Sequence, residues 1–307
     1  MVDLTGGMGI DFIALSKNFR FSTYVEQEKE LVEIAKHNVE IADIHKHVHI
    51  EHQSAEEYIQ QLDSVDVAFI DPHRRDALNH KIVLLEDCLP NVIALQTAII
   101  KKSKTLLIKA SPMLSIKQAM QSLNFIKEIH VVSVKNECKE VLFLIERDWK
   151  SEPKVIASDI RFQHTTTFSF TFSEEEDLFI QTSGVQKYLY LPNSSITKAG
   201  AFKSIAKRFS LAKLHKNTHI YTSNTLIKDF PGRVFELQEE LLYAKAKGRL
   251  KALAIDRATI ILRNFKEDIS SLKKKLKIKG ESNDIIFATT NCDDKQVILL
   301  TKEYLCD

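Results

Sequence analysis

The sequence predicts an α/β chain: a Rossmann-like, mostly parallel sheet closed by one antiparallel strand, followed by two small α+β domains. Three observations predict it. From residue 2 to residue 123, strand-like apolar runs alternate with runs of helical period, the pattern of a parallel sheet with right-handed crossovers. A glycine cluster, Thr5-Gly6-Gly7-Met8-Gly9, stands where the first strand gives way to the first helix. Two strand-like segments, 130–135 and 140–146, are separated by only four residues. That is too short for a crossover helix, so these strands should pair as an antiparallel hairpin.

The elements follow in order. Residues 2–4 form a strand stub, and a helix is expected over 11–17. Residues 23–26 read as the next strand. Residues 28–42 read as a helix, because Leu31, Ile34, Ala35 and Val39 recur near helical spacing. Residues 47–52 alternate as a strand, 56–62 form a short helix, and 65–70 form an apolar strand ending at Asp71-Pro72. A helix over 89–101, a strand over 105–109 and a helix over 115–123 lead to the hairpin. A parallel sheet finished by an antiparallel strand is the layout of class I methyltransferases; a dinucleotide dehydrogenase would place another helix there. Residues 149–153, Trp-Lys-Ser-Glu-Pro, mark a boundary. Beyond it, 165–172 and 187–191 read as strands and 174–177 as a solvated acidic turn. Phe202, Ile205, Ala206 and Phe209 fall on one helix face. The last segment reads as strand 258–263, helix 266–277 and strands 284–289 and 295–301. The expected domains are 1–149, 150–236 and 237–307.

Composition narrows the class. A hydrophobic content of 44% over 307 residues supports packed cores. No apolar run approaches the ~20 residues of a membrane span. Residues 1–4 lead directly into the glycine turn, and the four cysteines are scattered without a CxxC pair, so a cytoplasmic protein with reduced thiols is expected. Net charge is +2, but residues 1–150 carry 18 basic and 22 acidic side chains, whereas 241–307 carry 14 and 9. A basic end on a near-neutral chain hints at a polyanion partner.

The chemistry concentrates at the ends of the predicted strands. Glycines after the first strand allow close backbone approach to a ligand, with the next helix pointing its N-terminus at it. A dinucleotide fingerprint needs a further glycine three residues after Gly9, and that position is Phe12. S-adenosylmethionine (SAM) has no pyrophosphate and no such requirement. Its aminocarboxypropyl arm can lie along Gly6–Gly9, with Asp3, Thr5 and Asp11 beside it. Glu26 ends the second strand, where its carboxylate can accept both ribose hydroxyls. The segment Asp71-Pro72-His73-Arg74-Arg75 brings Asp71 to the C-terminal edge of the sheet. There it can orient or deprotonate an attacking nitrogen. Pro72 stiffens the exit from the strand, and Arg74 and Arg75 suit a phosphate or carboxylate; a salt-bridged loop is the plainer reading of the arginines. Cys138 reads more simply as a buried thiol than as a methyl carrier. His45, His47, His49 and His52 read as strand-edge histidines, and no metal is expected. In the last domain Lys273, Lys274, Lys275 and Lys277, with Arg249 and Lys251, form a basic face that suits RNA phosphates. A solvated lysine face gives the same pattern.

Several longer motifs carry a resemblance. Residues 3–11 (Asp-Leu-Thr-Gly-Gly-Met-Gly-Ile-Asp), Tyr-Val-Glu26-Gln, Asp71-Pro-His-Arg-Arg-Asp76, Leu85-Glu-Asp-Cys-Leu-Pro90, Lys109-Ala-Ser-Pro-Met113 and Asn136-Glu-Cys-Lys-Glu140 resemble a Bacteroidetes-type family of class I SAM-dependent methyltransferases. Residues 191–201, 217–222 and 230–233 resemble that family's ferredoxin-like middle domain, and 257–264 its THUMP-like domain. The resemblance implies SAM as cofactor and, by analogy with THUMP-bearing enzymes, a base in RNA as substrate. The alternatives are a small-molecule or protein methyltransferase, or a non-catalytic RNA-binding protein on the same fold. Two departures stand out. Where many SAM enzymes place an adenine-binding acid, this chain reads Gln53-Ser54-Ala55, so Ser54 and Ala55 are expected at the adenine. Family members also carry a segment before the glycine motif. Its lack here predicts a truncated chain that tends to self-associate through an exposed N-terminal region.

Overall fold

A computed structural model describes residues 1–74 and 84–304. The chain divides into two compact units, Met1–Gln163 and His164–Asp307.

The first unit is built on one sheet. Its strands are β1 (Val2–Asp3), β2 (Ser22–Glu26), β3 (Val48–His52), β4 (Val65–Ile70), β7 (Ser103–Ala110), β8 (Ile126–Val134), β9 (Glu137–Glu146) and β10 (Lys154–Ile160); two short strands, β5 (His73–Arg74) and β6 (Cys88–Leu89), pair separately. Among the strands of this unit the order is β10-β8-β9-β7-β4-β1-β2-β3. All neighbours are parallel except β9, which runs antiparallel to both β7 and β8. This is the class I methyltransferase arrangement.

The strand that carries the glycines is central although only two residues long, pairing with β2 and β4. Its ladder extends at both ends: Thr23 N–H donates to the Met1 carbonyl and Leu4 N–H to the Phe69 carbonyl. Met1, Val2 and Leu4 are buried. Helix α1 (Ile10–Ser16) and helix α2 (Lys29–Ile41) close one sheet face over a core of Met1, Phe12, Tyr24, Val32, Ala35, Val39 and Phe69. The other helices are α3 (Ala55–Gln61), α4 (Val92–Lys102) and α5 (Ile116–Ser122). Ser54, Asn91 and Ser115 cap them by accepting from the backbone of the first turn. Helix α4 therefore starts three residues later than expected, because Pro90 and Asn91 end the preceding turn.

The expected end of the first domain at 149 falls short. Strand β10 pairs in parallel with β8 over Lys154–Ile160. Burial of Val155 and Ala157 explains why this segment joins the first sheet and does not act as a linker.

The second unit contains β11 (Thr165–Phe170), α6 (Phe172–Asp177), β12 (Tyr188–Pro192), α7 (Ser194–Ala199), α8 (Ser204–Arg208), β13 (Ala212–His215), β14 (Thr218–Ser223), β15 (Gly232–Leu242), α9 (Tyr243–Ala252), β16 (Arg257–Arg263), α10 (Ile269–Leu276), β17 (Gly280–Thr290) and β18 (Gln296–Tyr304). Its sheet runs β13-β14-β12-β15-β18-β17-β16. The long β15 crosses the expected boundary at 236 and pairs with β12 on one side and β18 on the other. The middle and last segments therefore share one continuous sheet. The acidic stretch 174–177 is not a solvated turn: Thr171 caps a short helix there. Glu175 is buried and accepts from the backbone of Phe202, Lys203 and Ser204 and from the Ser204 hydroxyl. These donors at the start of α8 offset the cost of burying the carboxylate, which a free one would bear in full.

Candidate functional site

Local geometry explains the glycine loop. A Cβ on Gly6 would lie 2.1 Å from the Tyr24 ring, and Gly7 and Gly9 have φ of +53° and +82°. Gly6 is thus required by the packing of a buried tyrosine, and the other two by the turn. The Tyr24 hydroxyl donates to the Gly7 carbonyl. Phe12, where a dinucleotide fold would have its last glycine, is fully buried with its ring 5.6 Å from that of Tyr24, edge to face. The loop meets Glu26 directly. Gly7 N–H donates to Glu26 Oε2 at 3.0 Å and Glu28 N–H to Oε1 at 2.9 Å. Two backbone donors thus aim the carboxylate, and lone pairs remain on each oxygen for a ligand diol.

A cleft of about 250 Å³ opens at this edge, lined by Leu4, Thr5, Gly7, Glu26, Gln27, Glu28, Leu31, Ala55, Glu56, Asp71, His73, Leu89 and Pro90. Its walls are apolar at Leu4, Leu31, Ala55, Leu89 and Pro90. Its charge is acidic: Glu26, Glu28, Glu56 and Asp71 line it, and no lysine or arginine does among the described residues. Such a lining disfavours a pyrophosphate. Its carboxylate acceptors and apolar walls fit an adenosine carrying a cationic sulfonium and ammonium, as in SAM.

Of the residues expected at the cofactor, Thr5, Gly7, Glu26, Ala55 and Asp71 line the cleft. Asp3 is almost wholly buried and does not line it. It accepts from Thr5 N–H at 3.0 Å, and burial pushes its carboxyl up to about 7. Thr5 Oγ1 in turn accepts from Asp71 N–H at 2.7 Å. Gly6 and Gly9 shape the loop without lining the cleft. Ser54 is a correction: its hydroxyl is engaged by Glu57 in a capping box, donating to Oε2 at 2.9 Å and accepting from N–H at 3.2 Å. The acid that lines the cleft after the third strand is Glu56, in the first turn of α3. Gln27, Leu89 and Pro90 are cleft residues to which the sequence assigns no role; they stand there only as part of the motifs Tyr-Val-Glu26-Gln and Leu85-Glu-Asp-Cys-Leu-Pro90.

Asp71 follows β4. Its Oδ2 lies 3.0 Å from Lys109 Nζ, which also reaches Asp11 Oδ2 at 2.6 Å. Asp11 therefore faces Lys109, and it does not line the cleft. Burial raises the Asp71 carboxyl, and Lys109 pulls it back. The lysine is held protonated by its two carboxylates, although burial opposes this. Glu140, on β9, is also raised by burial. Pro72 is half-buried. The backbone of Arg74 pairs with Cys88 in the β5–β6 ladder, while the Arg74 side chain and Arg75 lie outside the described residues.

The histidine group disperses: His49 contacts Glu51, His52 the Gln27 carbonyl and His45 Asp43. Among the described residues no cluster of three or more His, Cys, Asp or Glu could hold a metal. Cys138 is half-buried opposite Ser133.

The basic face of the second unit is partly self-neutralised. Arg249 pairs with Glu239, Lys275 with Glu267, and Lys273 more loosely with Glu281 at 3.8 Å. Lys274, Lys277 and Lys251 are exposed, as are Lys245 and Lys247. No ion pair is formed by these five among the described residues. Nor is any helix long and apolar enough to cross a membrane.

A crystal structure described as "putative methyltransferase from Porphyromonas gingivalis W83" is 32% identical, aligns over 99% of this chain and 77% of that chain, and superposes with a TM-score of 0.90. The chain belongs to that methyltransferase family. Family models agree along its length: Conserved hypothetical protein 95 over residues 1–137, a ferredoxin-like domain over 188–231 and a THUMP-like domain over 232–303. TrmK from M. capricolum, solved with S-adenosylhomocysteine (SAH), is 14% identical over 49% of this chain and 63% of that chain, with a TM-score of 0.36. That likeness is too low to carry function. No curated protein sequence matches.

Proposed function

We propose that the protein is a SAM-dependent methyltransferase acting on a nitrogen of a base in RNA. The observation that carries the reading is the cleft itself. It joins the Gly7–Glu26 contact to Asp71 across a lining that is acidic and apolar. Glu26 would hold the ribose hydroxyls, Ala55, Leu31 and Leu89 the adenine faces, and Asp3 with Thr5 the cationic amino end. SAM, when bound, supplies an electrophilic methyl group. Asp71 orients the nucleophile: its carboxylate accepts an N–H of the substrate nitrogen. The nitrogen lone pair forms the new N–C bond as the S–CH3 bond breaks, and the electron pair leaves with sulfur. The proton released from nitrogen passes to Asp71 and then to water.

RNA is favoured by the match of residues 232–303 to a THUMP-like domain. A basic end supports it, with Lys245, Lys247, Lys251, Lys274 and Lys277 exposed and free of ion pairs among the described residues. These five replace Arg249, Lys273 and Lys275 as the expected phosphate contacts, because a paired cation must break its ion pair before it binds phosphate. The domains then divide the work: residues 1–163 perform the chemistry and the second unit engages RNA. Two measurements test the reading. Calorimetry with SAH should give binding that Glu26→Ala abolishes. Radiolabelled SAM with RNA from a strain lacking the gene should label one RNA class. Equal SAH binding by the variant would place the ribose elsewhere, and no labelled RNA would reject the substrate.

A further inference from the structure

Lys109 belongs to none of the residue sets expected at the site, yet it ties the reactive edge together. It is the last residue but one of β7, and β7 runs beside β4, whose end delivers Asp71. Its ammonium reaches Asp11 at 2.6 Å and Asp71 at 3.0 Å, with a quarter of its side chain exposed. Asp71 is thus held at two points, Oδ2 by Lys109 and its backbone N–H by Thr5 Oγ1. Its other carboxylate oxygen, Oδ1, takes no hydrogen bond among the described residues, and Asp71 lines the cleft.

We infer that Lys109, anchored by Asp11, is a positioning residue that fixes Asp71 so that its other oxygen, Oδ1, accepts an N–H from the nitrogen receiving the methyl group. The inference deepens the methyl-transfer reading above and rests on it. Two other roles for Lys109 are excluded by its surroundings. A nucleophile needs a free lone pair, whereas this amine is kept protonated by two carboxylates. A site for a substrate anion needs net positive charge, whereas Lys109 is outnumbered by Asp11, Asp71 and Glu140. The same excess of carboxylates narrows the substrate. A phosphate or carboxylate oxygen would be repelled here, and an N–H-bearing nitrogen would be drawn in. The described ionisable groups acting on Asp71 are Lys109 and Asp11, His73 on β5, Glu140 on β9 and the buried Asp3 on β1.

The test uses the full chain with Lys109→Met, Lys109→Arg and Asp11→Asn. Carboxyl-labelled aspartate followed by NMR, with the Asp71 signal assigned through Asp71→Asn, reports the Asp71 titration without any RNA. Methyl transfer from radiolabelled SAM to RNA from a strain lacking the gene reports turnover. Lys109→Met should raise the Asp71 midpoint by about 1–3 pH units. It should also cut kcat on the order of 10²-fold with little change in KM, and move the acid limb of the rate profile upward. SAH binding should be unchanged. Lys109→Arg should restore most of the rate. Asp11→Asn separates position from charge: it lowers the Asp71 midpoint, yet the rate should still fall because the ammonium has lost its anchor. An unmoved Asp71 midpoint in Lys109→Met, or an unchanged rate in both Lys109→Met and Asp11→Asn, overturns the inference. If Lys109→Met does not fold, a wild-type rate in Asp11→Asn overturns it alone. If the wild type labels no RNA, the substrate reading fails, and the NMR titration still decides whether Lys109 governs Asp71.

Discussion

Replacing Asp3 with asparagine should make the protein more stable and a poorer SAM binder. Asp3 is 1% exposed, and its carboxyl is raised from 3.8 to about 7 by burial, with Asp11 and Asp71 adding to the rise. Between those two values the folded state holds a proton that the unfolded state has released. Stability therefore declines as pH rises through this window and is level above it. A shift of roughly three units corresponds to about 4 kcal/mol at pH 8, at about 1.4 kcal/mol per unit. Asparagine resembles the protonated acid and carries no such penalty. It accepts less strongly from the Thr5 N–H, which offsets about 1–2 kcal/mol of the gain. The expected net is roughly 2 kcal/mol of stabilisation at pH 8 and almost none near pH 4. Urea unfolding at the two pH values measures the difference. Calorimetry at pH 8 should show SAM affinity reduced about tenfold or more, for loss of a charge near its cationic end. A variant destabilised at pH 8, or a stability difference equal at both pH values, would show that the buried carboxylate is not the strained group described here.

Three further outcomes follow from the same geometry. Wild-type SAM affinity should fall as pH drops below about 7, because Asp3 takes up a proton there; a flat affinity between pH 6 and 8 would remove Asp3 from the cofactor contacts. Gly6→Ala should cost about 1–3 kcal/mol by overpacking, since its Cβ would sit 2.1 Å from the Tyr24 ring, and Tyr24→Leu in the same chain should recover part of it, as thermal unfolding can show. Replacing Lys245, Lys247, Lys251, Lys274 and Lys277 with glutamine should flatten the salt dependence of RNA binding, by about one unit of slope for each phosphate that is no longer neutralised. Replacing the ion-paired Arg249, Lys273 and Lys275 should change it less, and the reverse order in a filter-binding titration would contradict the assignment.

The sheet was legible because its signals are local. Apolar runs of strand length and a four-residue hairpin turn fix a parallel sheet with an antiparallel strand, whatever the rest of the chain does. The cleft was legible where a residue type and a strand end coincide, as at Gly7, Glu26 and Asp71, which line it. It failed where one residue has two uses. Ser54 stands at the position expected to meet adenine, and the capping box with Glu57 takes its hydroxyl. Gly6 looks like a ligand contact, and its missing Cβ serves Tyr24. Lys109 stood in the sequence only at the head of the motif Lys109-Ala-Ser-Pro-Met113, with no role at the site. It sits 98 residues from Asp11, and only strand order brings it there. Likewise, the pairing of Arg249 with Glu239 links a helix to the strand before it, so a count of basic residues overstated the free charge.

Under the proposed function the two units would offer opposite charge to their ligands, and this constrains how a substrate can be held. An acidic cleft suits a cationic cofactor and a nitrogen that brings hydrogens, but it repels the phosphates on either side of any target base. Binding energy must then come from elsewhere, and the lysines of α9 and α10 are where the chain offers it. Long-range charge would bring RNA to the second unit, while only a base turned out of its backbone would enter the cleft at Asp71. On this argument, neutralising the five free lysines raises KM and leaves kcat alone, and changing Lys109 does the opposite. A single substitution that moved both together would mean that RNA docking and methyl transfer share one surface.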